Sequence, residues 1–324
     1  MGRPRRGAGR WLRAALASLV IGAVVIPLAG AAQAEVPAPA PVPSRPVTAG
    51  TLEATYAANR ANAAAASRMA TAHGDRHRAA ADRALAGPRR HLLAFDGRGA
   101  GLATEVLGDL AHADHVAVLV PGSDTGLDTY GRFHNAALAL HRRLDAAAPV
   151  GTRTAVVAWL GYATPGTVSA AVATTSRAEE AAPRLRALVG ELRRIAGQRA
   201  QIALLCHSYG SVVCGRAAHG LDVADIVLVG SPGTGSGSVT ALDTRARVWA
   251  TRGTDDWVAH VPHVGADLFG TTVGFGTDPV ASAFGARVFA AGDGGHSAYF
   301  APGSRALANL ARIVLGLTAE VTRD

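Results

Sequence analysis

The chain has 324 residues, of which 49% are hydrophobic and 17% are charged, so it can build one large or two ordinary folded domains. This composition excludes disorder over most of the length. The formal net charge is +8, but every basic residue is arginine and five arginines fall within the first thirteen residues. Because no clustered basic face remains, the sequence does not predict nucleic-acid binding.

The N-terminal residues have the three parts of a secretory signal. An arginine-rich start precedes an apolar run from Ala14 to Gly30, and Ala32-Gln33-Ala34 then forms an A-x-A cleavage site. We therefore expect a signal peptide over residues 1–34, cleavage after Ala34, and a mature protein that is secreted or held in the cell envelope without a stable membrane span. The alternative is an uncleaved membrane anchor.

Two further segments separate this signal from the main domain. Residues 35–50 carry prolines at nearly alternate positions, which forbid helix and favour an extended, solvated linker. Residues 51–90 are rich in alanine and are predicted to form a shallowly packed helical extension that lies across the main domain.

From His91 onward, short and continuous apolar runs alternate with amphipathic helical stretches. The runs are HLLAF (91–95), HVAVLVPG (115–122), TAVVAWLGY (154–162), QIALLC (201–206), ADIVLVGSPG (224–233), ARVWATRG (246–253) and ARVFAAG (286–292). Helices are predicted from about residue 128, over 177–197 and after Ser304, a suitable N-cap. Continuous apolar runs are typical of strands buried on both faces, so residues 91–324 are predicted to form an α/β domain with a mostly parallel sheet.

Ligands of such sheets bind at the carboxyl ends of the strands, and there the segment CHSYG places Ser208 between a strand and a helix. It resembles the nucleophile elbow G-x-S-x-G, with Gly210 in place and Cys206 instead of the first glycine. Ser208 is either a catalytic nucleophile or merely the cap of the next helix. Cys206 and Cys214 stand eight residues apart; two buried, reduced cysteines are the favoured expectation and a disulfide is the alternative.

A serine nucleophile needs a base and an acid, which follow it in that scaffold in the order acid, then histidine. Asp256 after the ARVWATRG run is the favoured acid, with Asp255 in reserve, and His296 in a glycine-rich loop is the predicted base. The predicted oxyanion hole combines the backbone N–H of Tyr209 with that of Ser123 or Asp124.

Seven motifs in order resemble a family of α/β-hydrolases that are common in actinobacteria and were long catalogued as a domain of unknown function. They are HVAVLVPG, AWLGY, CHSYGSVV, VLVGSPG, GTDPV, FGARVF and GGHSAYF, and the resemblance covers about residues 95–318. It implies the α/β-hydrolase fold and matches Ser208, Asp256 and His296 to the family's motifs. The family's elbow usually reads G-H-S-Y-G, so Cys206 is a departure.

These observations predict an exported serine hydrolase that cleaves an ester-like acyl substrate, a small molecule or a lipid, through an acyl-enzyme. An envelope acyltransferase with the same triad and a catalytically silent binding protein of the same fold are the alternatives. No metal or organic cofactor is implied, and the oligomeric state is left open. We expect the pocket walls to come from residues 162–176 and 232–243 and from the alanine-rich extension.

Overall fold

A computed structural model describes residues 36–43, 46–167, 169, 174–261, 265–268 and 271–323. The predicted signal peptide over residues 1–34 lies outside the described residues. Eight strands of the described chain form one sheet, in the order β1-β2-β4-β3-β5-β6-β7-β10. These strands are β1 His91–Asp96, β2 Leu102–Gly108, β3 His115–Val120, β4 Thr154–Leu160, β5 Gln201–His207, β6 Asp225–Val229, β7 Arg247–Thr251 and β10 Arg287–Val288.

The sheet is mostly parallel. From β4 to β10 every neighbouring pair is parallel, whereas β1 pairs antiparallel with β2 and β2 pairs antiparallel with β4. Two short strands, β8 Gly265–Leu268 and β9 Thr271–Gly274, form a separate antiparallel hairpin. The parallel strands β3, β5, β6 and β7 therefore end at one edge, where the predicted site residues follow them.

Helices cover both faces of the sheet. They are α1 Leu52–His73, α2 Arg76–Leu85, α3 Tyr130–Ala147, α4 Ser176–Ala196, α5 Gly210–Ala217 and α6 Arg305–Val314. Successive strand side chains point to opposite faces. Val116 and Val118 accordingly pack in the core shared with α4 and α5, while Ala117 and Leu119 pack in the core shared with α3 and α6.

Six of the seven predicted strands are present with nearly the expected limits, and the predicted helices and the Ser304 cap are confirmed. The seventh run, 286–292, gives only the two-residue strand β10. Strand β2 was not predicted, because Glu105 interrupts its apolar run. Glu105 is buried, and burial alone would raise its pKa, but hydrogen bonds from His134 and Arg90 hold that pKa below its usual value. The chain thus buries a charge that is paired on both sides.

The alanine-rich extension is helical and packs on the antiparallel end of the sheet. Ala63 and Ala66 of α1 and Leu85 of α2 form a third apolar cluster with Leu92 and Phe95 of β1. Arg78 of α2, which is 4% exposed, holds Asp128 through two hydrogen bonds of 2.8 and 3.0 Å.

The described part of residues 36–50 contacts the alanine-rich extension, and the assignment of these residues as a linker stays a prediction. Asn62 of α1 donates a 2.8 Å hydrogen bond to the Ala40 carbonyl, Ala38 packs against the third cluster, and Val47 is buried. The segment has no helix before residue 49, as the prolines require, but the short alanine side chains of α1 let its backbone approach closely. No helix among the described residues combines the length and the apolar character needed to cross a membrane.

Candidate active site

The turn between β5 and α5 places Ser208 above the carboxyl edge of the sheet. Ser208 has a φ of 53°, a left-handed conformation that is uncommon for a residue with a Cβ atom. Its N–H donates a 2.9 Å hydrogen bond to the Val229 carbonyl at the end of β6, and its own carbonyl accepts one of 2.9 Å from Ser211. The serine is therefore held in a strained turn by the end of β6 and by the first turn of α5, a geometry that resembles a nucleophile elbow.

Gly210 makes this tight turn possible. A Cβ atom at this position would lie 2.5 Å from the Val120 carbonyl oxygen and 2.7 Å from the Pro121 carbonyl oxygen. Gly122 serves the same purpose from the other side, since its added Cβ would lie 2.6 Å from the Cβ of Ser208. The loop after β3 thus packs directly against the serine.

Cys206 and Cys214 form a disulfide, with Cα atoms 6.4 Å apart. The favoured expectation of two reduced cysteines is therefore wrong. Helix α5 turns back against β5, where the Ser211 hydroxyl donates a 3.0 Å hydrogen bond to the Cys206 carbonyl. This return brings the two sulfur atoms together beneath the turn, in the place that a glycine takes in the usual motif.

Asp256 follows β7 and is buried, whereas Asp255 is exposed. The Asp256 carboxylate accepts hydrogen bonds from His296 Nδ1 at 3.0 Å, from the Val258 N–H at 2.9 Å and from the Tyr299 hydroxyl. Burial would raise the pKa of Asp256, but these donors outweigh burial and hold the pKa below its usual value. Asp256 is therefore an ionised carboxylate directed at His296.

The His296 ring contacts two other aromatic rings. The centroid of the His207 ring is 4.7 Å from that of His296, and the Trp257 centroid is 4.8 Å away on tilted planes. Because Nδ1 of His296 donates to Asp256, Nε2 is the ring nitrogen left for other chemistry. The ring is thus fixed in orientation and tautomer by its surroundings.

His207 supports the same loop from below. Its Nε2 donates a 2.8 Å hydrogen bond to the His296 carbonyl. Burial, and then the neighbouring His296, lower the pKa of His207 to about 4. His207 is therefore neutral at pH 7 and adds no charge beside His296.

Two of the three predicted oxyanion donors have a free backbone amide. Within the part of the chain that the structure describes, neither the Ser123 N–H nor the Tyr209 N–H donates a hydrogen bond. The Asp124 N–H, by contrast, donates to the Pro165 carbonyl at 3.1 Å, and the Asp124 carboxylate accepts from Thr167. Asp124 is thus committed to fixing residues 165–167 and is not available as an oxyanion donor.

A cavity of about 1050 Å³ opens over these residues and is lined by Ser208, His296, Ser123 and Tyr209. Most other walls are apolar, formed by Phe133, Val258, Val261, Phe275 and Phe300. Thr167 and Pro232 contribute from the two loops expected to do so, but no described residue of the alanine-rich extension lines the cavity. No hydrogen bond joins Ser208 to His296 among the described residues, a common state of catalytic pairs without bound substrate.

In the described ranges, no three His, Cys, Asp or Glu side chains are grouped so that they could hold a metal ion.

Residues 96–266, more than half of the chain, match the family described as alpha/beta hydrolase. The chain belongs to this family. Membership confirms the predicted fold class and the resemblance to actinobacterial α/β-hydrolases, and it indicates hydrolase chemistry.

Among curated proteins, this α/β-hydrolase is 32% identical over 253 residues to an uncharacterized protein of Mycobacterium tuberculosis, in two strains. The match covers 69% of this chain but 38% of the relative, so the chain spans well under half the length of the curated relatives that it matches.

Among solved structures, an α/β serine hydrolase without a lid from Xanthomonas campestris is 16% identical, with a TM-score of 0.43 over 74% of this chain and 98% of that one. An esterase from Mycobacterium marinum is also 16% identical, with a TM-score of 0.40 over 77% of this chain and 88% of that one.

The close approach at Gly210 gives a stability prediction. Gly210→Ala should lower the free energy of unfolding by roughly 1–3 kcal/mol, because the new methyl group must displace two backbone carbonyls. Gly131→Ala is the matched control, because Gly131 also lies in a helix and an added Cβ there would have no neighbour within 4 Å. This substitution should raise the free energy of unfolding by up to about 1 kcal/mol. Urea denaturation measures both, and equal effects would contradict the packing described.

The neutral His207 gives a pH prediction. Its pKa is about 4 in the folded chain against an ordinary 6.5, so the unfolded chain binds more protons between these values and stability is lost as pH falls through this window. From pH 7.5 to pH 5 this loss should be about 1–2 kcal/mol. His207→Gln cannot titrate but can still donate to the His296 carbonyl, so it should lose that much less over the same interval.

Urea denaturation at the two pH values measures this difference. The range stops at pH 5 so that the low pKa of Asp256, whose stabilisation is lost only in stronger acid, does not contribute. The other histidines are common to both proteins and cancel in the comparison. Parallel losses in the wild type and the variant would show that His207 is readily protonated in the folded chain.

Proposed function

We propose that the protein is a serine hydrolase that cleaves an ester-like acyl substrate through an acyl-enzyme, with Ser208 as nucleophile, His296 as base and Asp256 as the orienting acid. The observation that carries this proposal is the hydrogen bond from His296 Nδ1 to the buried Asp256 carboxylate, beside the strained turn of Ser208. All three groups follow separate strands and come together at one edge of the sheet. The family membership supports hydrolysis in general.

The reaction begins when a substrate carbonyl enters the cavity above Ser208. Ser208 Oγ attacks the carbonyl carbon as its proton passes to Nε2 of His296, and the Asp256 carboxylate stabilises the resulting imidazolium. The tetrahedral intermediate then expels the alcohol, which takes the proton from His296. Water, deprotonated by His296 in the same way, hydrolyses the acyl-enzyme and restores Ser208.

The developing oxyanion needs preorganised donors that are not already bonded. The amides of Tyr209 and Ser123 meet that condition, and they come from the start of α5 and the loop that packs on Ser208 through Gly122. Each such donor is worth about 3 kcal/mol of transition-state stabilisation. We assign these two amides to the oxyanion hole.

Tyr299 and His207 act as positioning residues. The Tyr299 hydroxyl donates to Asp256 and accepts a 3.0 Å hydrogen bond from the Gly253 N–H, which fixes the carboxylate relative to the end of β7. His207 holds the backbone of His296, and Trp257, which is 52% exposed, contacts the His296 ring.

The cavity supports a substrate with an apolar acyl part. Its phenylalanine and valine walls favour hydrocarbon, and its volume of about 1050 Å³ accommodates a ligand larger than a short ester. Small acyl esters and lipid-like esters both fit this description. Hydrolysis rates for a series of esters of increasing acyl chain length would measure which length the cavity prefers.

Replacement of the nucleophile gives the decisive prediction. Ser208→Ala should abolish labelling by a fluorophosphonate probe and lower kcat for p-nitrophenyl ester hydrolysis by roughly 10³-fold or more. Ser282→Ala, at an exposed serine outside the cavity, should label and turn over like the wild type. Gel fluorescence and absorbance assays measure the two effects.

Absence of labelling in the folded wild type at neutral pH would overturn the enzyme proposal in favour of a silent binding protein. If the wild type is labelled, and if in the presence of an added alcohol it forms the new ester faster than it hydrolyses the substrate, the acyltransferase is favoured. The same three proteins serve for both measurements.

Export is a further part of the proposal, supported by the signal-like N-terminal sequence and by the Cys206–Cys214 disulfide, which persists in oxidising compartments. In an actinobacterial secreting host, the exported protein should begin at Glu35. Ala34→Arg should block cleavage, because the site requires a small residue there. N-terminal sequencing of the product measures this, and a mature chain that retains residues 1–34 would contradict it.

A further inference from the structure

A second groove continues from the cavity along α3 and carries three arginines. It lies between α3 and the segment 300–303 that precedes α6, and it is lined by Arg132, Arg142 and Arg143. Five residues line both the groove and the main cavity: Arg132, Asn135, Ala136, Ser297 and Phe300. One extended molecule can therefore reach from Ser208 into the groove.

The three arginines have no acidic partner. In the described part of the chain, none of them makes an ion pair or a side-chain hydrogen bond, and no Asp or Glu lines the groove. Elsewhere, Arg78 and Arg247 hold Asp128 and Asp225 through paired hydrogen bonds. The groove thus keeps its guanidinium groups free to bind an anion.

Their placement on the helix gives the groove its direction. Arg132 stands near the start of α3 and beside the cavity, and Arg142 and Arg143 follow ten and eleven residues later, about 16 Å along the helix axis. An uncharged Ala-rich surface separates them. Positive charge is therefore concentrated at the cavity mouth and at the far end of the groove.

We propose that the substrate is an acyl ester whose alcohol part carries a phosphate group, which Arg142 and Arg143 bind while the acyl part occupies the apolar cavity. This inference rests on the proposed function and names the substrate class of that same site. Guanidinium groups bind phosphate oxygens through paired, charge-assisted hydrogen bonds. Hydrolysis adds water across the ester, releasing the carboxylic acid and the phosphate-bearing alcohol, with the phosphate group unchanged.

The test compares two esters that differ only in the phosphate, pentaethylene glycol mono-octanoate and the same ester phosphorylated at its free glycol end, below their aggregation concentrations; the extended glycol chain is long enough to run along α3 from the cavity mouth to Arg142 and Arg143. The ratio of kcat/KM should favour the phosphate ester by about tenfold at low salt and decline as salt is added. Arg142→Gln/Arg143→Gln should lower this ratio at least about fivefold. Arg68→Gln/Arg83→Gln, which removes the same charge from exposed positions on α1 and α2, should leave the ratio as in the wild type.

The phosphate could belong to a soluble ester or to a lipid headgroup, and a second arm distinguishes them. The same comparison is made with oleoyl esters in phosphatidylcholine vesicles. Preference for phosphate among the monomeric octanoyl esters identifies a soluble phosphate ester, and preference in vesicles alone identifies a headgroup at a membrane surface. No preference in either arm overturns the proposal.

Failure of the inference and failure of the proposed function give different results. Equal kcat/KM for the two octanoyl esters, with normal fluorophosphonate labelling, would reject the phosphate site and keep the hydrolase. If neither ester is cleaved, calorimetric binding to Ser208→Ala still tests the groove: the phosphate ester should bind about tenfold more tightly, and adding the Arg142 and Arg143 substitutions should remove that advantage. Equal binding of the two esters would reject the site without any turnover.

Discussion

The left-handed backbone of Ser208 is the constraint on which the rest of the site depends. Holding a non-glycine residue in this conformation costs of the order of 1–2 kcal/mol, and it persists only where its surroundings fix it. Here the Val229 carbonyl binds its N–H, while Gly210 and Gly122 allow the backbone of β3 and its following loop to approach. The loop after β3 is therefore positioned by the same close contacts that hold Ser208 in its strained conformation, so the two depend on each other.

A second constraint concerns charge. The site keeps one carboxylate ionised and one imidazole neutral, both in contact with His296: Asp256 by three hydrogen-bond donors, and His207 by burial and by His296. The neutral ring can lie against His296 without opposing the positive charge that the proposed mechanism gives to His296. A protonated residue at the same place would destabilise that charge by direct repulsion.

Sequence patterns predicted those features that follow from local periodicity and strand order. Continuous apolar runs predict buried parallel strands. The side chains that follow such strands lie at one edge of the sheet, and for this reason Ser208, Asp256 and His296 were predicted to form one site. The features that were missed depend on tertiary partners. Strand β2 buries Glu105 against Arg90 and His134 from other elements, so its own run gives no strand signal.

The same reason explains the remaining differences. Tyr299 acquires its contact with Asp256 only when two loops meet, and the Asp124 amide is lost to Pro165, more than forty residues away, at a turn whose sequence allowed either Asp124 or Ser123. The expectation of reduced cysteines was wrong because a separation of eight residues permits many distances until the return of α5 over β5 is known.

The disulfide between Cys206 and Cys214 closes a covalent ring that contains Ser208 itself. Local opening of the Ser208 turn and reduction of this bond are consequently linked equilibria. If the disulfide stabilises the folded turn by a given free energy, the folded turn stabilises the disulfide by the same amount. The reduction potential of the disulfide falls by about 30 mV for every 1.4 kcal/mol of this stabilisation. The redox potential of the surroundings therefore affects the stability of the Ser208 turn, because Cys206 stands where the usual motif has a glycine.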